Sequence, residues 1–478
     1  MNRRAVALLA LTGACTTGEV LPPDIERDLV EVKQFGSWVP DRTDILFVVD
    51  NSPAMAAQRP YLPDGFRAFA ENMLTYGDLF FGGTPMDMHI AVVTTDIGGP
   101  GSRFDDGAFQ TARHVAGDFG EHVEACSMLA PDATYLQQAP RRSLADSPPS
   151  NFTGDFAEAL ACIGEVGSYG ATFISPLEAM RRALTRAQAN VGDATGFLRE
   201  DARLVVIIIT ANDDCSPAAG DDDPALWSTD TALGPRSTFR CFEHGVTCDQ
   251  DVRPDDATSG PEVPVPLTGC VPDEASTVVA PVTAYIEFVR GLKANPRDVQ
   301  VAVATPGTAP IAVTQAGGNG PLATWFSLAQ VCDETTALLP MPATPALRID
   351  AFRRAFTDRN YAQSVCQPGF EDLSVGLTTM IGAYVGKPCL YHPLADRNPD
   401  LPGLQAECAV SFTSDEPADA AAPTIVVPAC DVAPDPRVCW RLLDNDSDCE
   451  GLLAIDVVWA DGIRVDGMFD LACSIVDD

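Results

Sequence analysis

No C-x-x-C pair occurs in the chain, and its 478 residues include only five histidines, none at zinc-finger spacing. The ligand sets of small zinc modules are thereby excluded. Basic charge is also scarce: 31 Lys and Arg stand against 67 Asp and Glu, for a net charge of −36 and a pI near 4.2. Without a basic footprint, nucleic acid and anionic lipid are excluded as partners. No stretch is apolar for long enough to make a transmembrane helix. Catalytic signatures are missing as well. "GAYVGKP" (382–388) has three residues between its glycines where a P-loop has four, and Pro388 where Ser or Thr must ligate magnesium. "GSYG" (167–170) is preceded by Val166, not the glycine of a nucleophile elbow. Asp444, Asp446 and Asp448 stand at calcium-loop spacing, but Cys449 replaces the turn glycine and Ile455 the bidentate glutamate, so a surface turn is expected. No Ser/His/Asp or Cys/His set is nominated, and His89 and His392 read as packing residues.

What the chain does have is cysteine. Its 15 cysteines are an odd number for an exported protein. The first residues, "MNRRAVALLALTGACTTG", carry Arg3 and Arg4, a short apolar run from Ala5 to Leu11, and small residues before Cys15. That is a cleavable signal over 1–14, too short to span a bilayer. "LTGAC" resembles a bacterial lipobox, with Thr12 where the motif has Leu; the resemblance implies that Cys15 is lipidated. Setting Cys15 aside leaves 14 cysteines, enough for seven disulfides in an oxidising compartment. The N-terminal lipid is then the one expected link to a membrane, at the outer membrane or cell surface.

Along the chain, apolar runs alternate with helical patterns. Ile45–Val49, "MHIAVVTTD" (88–96), "ARLVVIIIT" (202–210) and "VQVAVAT" (299–305) read as buried strands. Between them, Phe66, Phe69, Ala70, Met73 and Leu74 recur at helical spacing, as do Val282, Tyr285, Ile286, Val289 and Leu292. Ser175, Pro176 and Glu178 fit the N-cap, first and third positions of a capping box. "IDAFRRAF" and "LSVGLTTMIGAYVG" are helical by period. The alternation predicts an α/β unit over 42–390, a parallel-rich sheet covered by helices on both faces. Inserts at 97–152 and 211–276 follow strand ends, the ligand-facing edge of an open α/β sheet. Their length and cysteines predict disulfide pinning. Residues 15–41 read as a linker, and 414–437 as another. The region 391–478 reads as a disulfide-rich β module, with a hairpin turn at Asp461-Gly462.

"DILFVVDNSPAM" (44–55) ends a buried strand on an acid, an amide and a hydroxyl. It resembles the D-x-S-x-S motif of von Willebrand factor type A (VWA) domains, which builds a metal-ion-dependent adhesion site on a Rossmann-like sheet. More narrowly, "FTGDFAEALACI", "GFLREDARLVVIIIT", "RCFEHGVTCD" and "CQPGFEDL" resemble secreted myxobacterial VWA lipoproteins, from about residue 42 to the C-terminus. The resemblance implies Mg2+ or Mn2+ ligands at Asp50 and Ser52, with Thr172 in the second loop and Ser168 or Ser175 as alternates. It also shows what is missing. Ala54 stands where a second hydroxyl is expected, and Ala211 where the last acid is expected, with Asp213 and Asp214 as out-of-register substitutes. The expectation is therefore a degraded site. Asp50 would satisfy backbone N–H groups or a hydroxyl at the strand end, and no cofactor is expected. The expected function is protein–protein or cell-surface adhesion without catalysis. The alternatives are an envelope hydrolase with its site under the inserts and a purely structural envelope component.

Overall fold

Seven of the eight residues of the Arg42–Val49 strand are buried, because its side chains feed two different layers. Ile45, Phe47 and Val49 face helices Leu62–Phe80, Phe156–Gly164 and Glu371–Gly382. Leu46 and Val48 face helices Pro176–Ala189, Val282–Arg290 and Leu347–Arg354. Alternation of side chains across a strand makes both layers possible, and covering both faces explains the unbroken apolar run. The computed structural model describes residues 30–36, 42–80, 87–117, 120–138, 150–218, 225–229, 233, 236–252, 264–294, 298–317, 324–332, 340–356, 360–367, 369–382, 389–390, 392–396, 404–414, 424–432, 437–443, 453–460 and 467–476.

The chain divides into one unit over Val39–Gly386 and a second made of Met1–Trp38 with Lys387–Asp478. In the first, six strands lie in the order Asn360–Ser364, Val299–Thr305, Arg203–Ile209, Arg42–Val49, Asp87–Thr94, Leu136–Gln138. The first five are parallel, and Leu136–Gln138 runs antiparallel. The chain winds one way from Arg42–Val49 and the other way from Arg203–Ile209, so these neighbours flank the switch point where such sheets place ligands.

Both inserts are pinned by disulfides, as expected. Cys126–Cys162 ties the first to the Phe156–Gly164 helix, and Cys215–Cys241 and Cys248–Cys270 close loops in the second. The first insert also builds the Ala112–Gly117 and Gly120–Ala125 hairpin and supplies the antiparallel edge strand of the sheet. Cys332–Cys366, Cys408–Cys473 and Cys430–Cys439 bring the bridges among the described residues to six. Six disulfides belong to an oxidising, extracellular environment. Among the described residues no helix is long and apolar enough to cross a membrane.

The second unit is β-rich and takes in segments that the sequence reading assigned to linkers. Val30–Gly36, expected within a linker, pairs antiparallel with Gly467–Ser474 from Val30↔Ser474 to Gly36↔Met468. Its inward position is a carboxylate: buried Glu31 accepts from the His392 backbone N–H at 3.1 Å, while Val32 beside it is exposed, so the apolar residues do not mark the buried face. His392, expected to pack, is itself exposed and pairs with Glu31 at 3.2 Å. The 414–437 stretch, also expected as a linker, contains the strand Thr424–Val427 and one end of the Cys430–Cys439 bridge. Phe412, Trp440, Ile455, Phe469 and Leu471 form its core. The signal, Cys15, the Asp461-Gly462 turn and the Asp444–Cys449 segment lie outside the described residues.

Candidate functional site

At the end of the motif strand, the Asp50 N–H donates to the Ile209 carbonyl at 2.8 Å, locking the two switch-point strands together. The Asp50 side chain is fully buried. Its Oδ1 accepts from the Ser52 N–H at 2.8 Å; its Oδ2 accepts from the Thr210 hydroxyl at 3.0 Å and the Ala211 N–H at 3.2 Å. Burial raises the Asp50 pKa, against the Ser52 N–H, the strongest of the bonds that favour the anion. The Ser52 hydroxyl is close enough to Asp50 to favour the anion further, yet meets no partner at hydrogen-bonding geometry among the described residues. The neighbouring Asn51 Oδ1 is buried and unpaired in the same way.

Loops from two other strand ends close around this turn. Asp105 Oδ2 accepts from the Thr94 hydroxyl at 2.6 Å and from Asn51 Nδ2 at 3.2 Å. Asp96 accepts from the N–H groups of Gly98, Arg103 and Ala171 and from the Ser102 hydroxyl. The Gly170 N–H donates to the Asn51 carbonyl at 2.6 Å, and a Cβ at position 170 would lie 2.2 Å from Asn51 Oδ1, so only glycine fits. Between these anchors Phe104 holds a left-handed backbone (φ 63°) and is 68% exposed. Tyr169, on the adjoining loop, is 52% exposed.

The predicted site residues are only partly brought together. Thr172 is exposed; its N–H donates to the Pro100 carbonyl at 3.3 Å, and it makes no hydrogen bond to Asp50 or Ser52 among the described residues. Ser168 is buried, with its N–H on Glu121, and the Ser175 hydroxyl donates to the Cys215 carbonyl at 3.1 Å. Asp213 and Asp214, the suggested substitutes, are used as helix caps. Asp213 accepts from the N–H groups of Arg348 and Ile349 at 2.9–3.1 Å, opening the Leu347–Arg354 helix, and burial pushes its pKa up to about 6. Asp214 accepts from the Leu177 N–H at 3.1 Å and from Arg348 Nη2 at 3.1 Å. The expected capping box is corrected by the same finding. Ser175 occupies the N-cap position without a capping bond; Asp214 and the Ser216 hydroxyl receive the Leu177 and Glu178 N–H groups, while Glu178 pairs with Arg181 and Arg182. Among the described residues no group of three or more His, Cys, Asp or Glu side chains is arranged to hold a metal ion.

Sequence reasoning missed two features of this unit. One is a cavity of about 390 Å³ at the carboxyl edge, lined in part by Thr172, Asn212 and Asp213. The other is a buried ionic cluster at the opposite end of the sheet. There Asp44 accepts from Arg199 Nε at 2.8 Å, with Lys293 Nζ and His89 Nδ1 each at 3.8 Å. Burial pushes Asp44 up to about 6 despite Arg199, while burial and then the Arg199 charge push His89 down to about 4. His89 Nδ1 lies 2.9 Å from the Phe197 carbonyl, which only accepts, so Nδ1 carries the proton of the neutral ring. Between about pH 4 and the ordinary value of 6.5 the native ring binds fewer protons than the unfolded one, so His89 loses stability for the fold as pH falls. Asp44 acts in the opposite sense, because its native pKa lies above the unfolded one: it adds stability as pH falls below about 6. An NMR titration of His89 should have its midpoint near 4, and a midpoint near 6.5 would contradict the buried cluster.

No family model matches the chain, and no curated protein matches it. Among solved structures it is similar to the pilus adhesin RrgA from Streptococcus pneumoniae, at 11% identity and a TM-score of 0.31 over 94% of this chain. It is also similar to the pilus adhesin SpaC from Lactobacillus rhamnosus GG, at 8% identity and 0.34 over 93%. The human COPII-coat protein Sec24c follows at 7% identity and 0.27 over 91%. This chain spans 58%, 42% and 44% of the three, respectively. At TM-scores of this size the likeness carries no argument about fold or function.

Proposed function

We propose that this chain is an exported, lipid-anchored binding module of VWA type, acting through its carboxyl edge on a protein or cell-surface partner, without catalytic activity. Asp50 carries the reading. It sits at the switch point where the motif of the VWA family places its ion, yet the chain's own Ser52, Thr210 and Ala211 groups occupy its oxygens. With alanine at 54 and 211, the donor set does not fit the near-octahedral oxygen shell that magnesium demands. The degraded site is therefore a structural turn in this reading, and no resident metal takes part. The parallel strands and two helical layers support the VWA assignment.

Contact with the partner falls to the loops that this turn organises. A bulky residue with positive φ is strained, and strain held by a rigid surround marks a functional surface. Phe104 fits that description, because Ser102, Arg103 and Asp105 beside it are all pinned. Immobilised full-length protein should retain a surface component of the producing cell, and Phe104→Asp should weaken that capture by roughly tenfold or more. Asp tolerates the left-handed backbone, so the variant keeps its fold. Equal capture by the variant would remove the carboxyl edge from the account, and no specific capture would leave the structural-component reading.

The anchor is a separate element of the proposal. With Cys15 set aside, 12 of the 14 remaining cysteines are bridged among the described residues, which fits one cysteine reserved for lipid. Cys15→Ser should move the protein out of the membrane fraction; identical fractionation would refute the anchor.

A further inference from the structure

The lining of the cavity at the carboxyl edge is of two unlike kinds, aromatic and polar. Phe239, Phe242 and Phe326 give it an aromatic wall, with the Phe239 and Phe326 rings stacked at 5.8 Å and the Phe239 and Phe242 rings tilted to each other at 5.9 Å. The Cys215–Cys241 bridge, both of whose cysteines line the cavity, fixes this wall against the strand end. Arg236, Asp213 and Thr344 are among its polar lining residues. In a chain of net charge −36, Arg236 makes no ion pair or hydrogen bond among the described residues. Asp213, the one carboxylate on the described lining, is already met by the backbone N–H groups of Arg348, Ile349 and Asp214. At about 390 Å³ the cavity falls within the range of small-molecule sites. A void of about 150 Å³ suffices for a benzene ring, so an aryl group with a short polar arm fits here with room for water.

We infer that this cavity binds an organic anion with an aryl body, the ring against Phe239, Phe242 and Phe326 and the carboxylate on Arg236. An aromatic wall offers ring faces and edges to a flat apolar group, and the guanidinium fork matches a carboxylate in two parallel hydrogen bonds. A free aryl acid and the carboxyl-terminal Phe of a peptide present the same chemistry. The inference does not depend on the state of the Asp50 turn.

Calorimetry on the full-length protein separates the outcomes. The probes are phenylacetate, an acetyl-Gly-Gly-Phe peptide with a free carboxylate, phenethyl alcohol and phenethylamine. At least one of the two acids should bind saturably at millimolar concentration or below, and the tighter acid identifies the source of the ligand. Arg236→Met should weaken that binding by roughly tenfold or more. Arg236 is exposed, so the variant's unfolding midpoint should not change. The inference is overturned if neither acid binds, if the alcohol or the amine binds as tightly as the acids, or if Arg236→Met binds unchanged.

Discussion

Replacing Arg348 by Met should lower the unfolding free energy by about 3–5 kcal/mol, the usual cost of removing one partner of a buried ion pair. Arg348 is fully buried, and so is Asp214, its partner at 3.1 Å. Its guanidinium also donates to the carbonyls of Ala280 at 2.5 Å and Gly245 at 3.3 Å, so one side chain ties together the second insert, the strand end and two helices. Without it the Asp214 carboxylate stays buried with only the Leu177 and Ser216 groups to meet its charge. Adding Asp214→Asn to Arg348→Met should recover part of the loss, since no unpaired charge then remains, and a double-mutant cycle isolates the coupling. Urea unfolding followed by circular dichroism measures both. A loss below about 1 kcal/mol for Arg348→Met would mean that the pair sits in a wetter, less constrained setting than its burial indicates.

The same residues show where sequence reasoning succeeded and where it stopped. The strands at 42–49, 87–94, 203–209 and 299–305 were legible because burial on both faces leaves a continuous apolar run. The helices at 282–290, 347–354 and 371–382 showed their period in the same way. The caps were not legible, because they act at a distance: Asp213 serves a helix that begins more than a hundred residues later, and Asp214 one that begins earlier in the chain. Local spacing instead pointed to Ser175 and Glu178, whose side chains are engaged elsewhere. Val30–Gly36 escaped notice because its inward residue is Glu31, buried against a histidine that lies 361 positions away. At the candidate site, the sequence showed that an apolar strand ends on Asp50, Asn51 and Ser52, but not that Thr210 and Ala211 meet the Asp50 carboxylate. The cavity could not be read either, because its walls come from segments as far apart as Thr172 and Thr344.

The central claim is that the motif has become a self-satisfied turn, and divalent-cation titration of the parent and of an Ala54→Ser, Ala211→Asp variant tests it most directly. Ala211 is fully buried, and its N–H already points at Asp50 Oδ2. A carboxylate at 211 would therefore stand beside Asp50, and two like charges in one buried site disfavour ionisation of both. The variant should be less stable than the parent in EDTA. Mg2+ or Mn2+ supplies the missing positive charge, and the added carboxylate and hydroxyl raise the number of oxygen ligands. Binding to the native state alone then raises the unfolding midpoint with cation concentration. The account predicts saturable calorimetric binding and a cation-dependent rise in midpoint for the variant, with neither in the parent. Tight binding of Mg2+ or Mn2+ by the parent, abolished by Asp50→Ala, would contradict it.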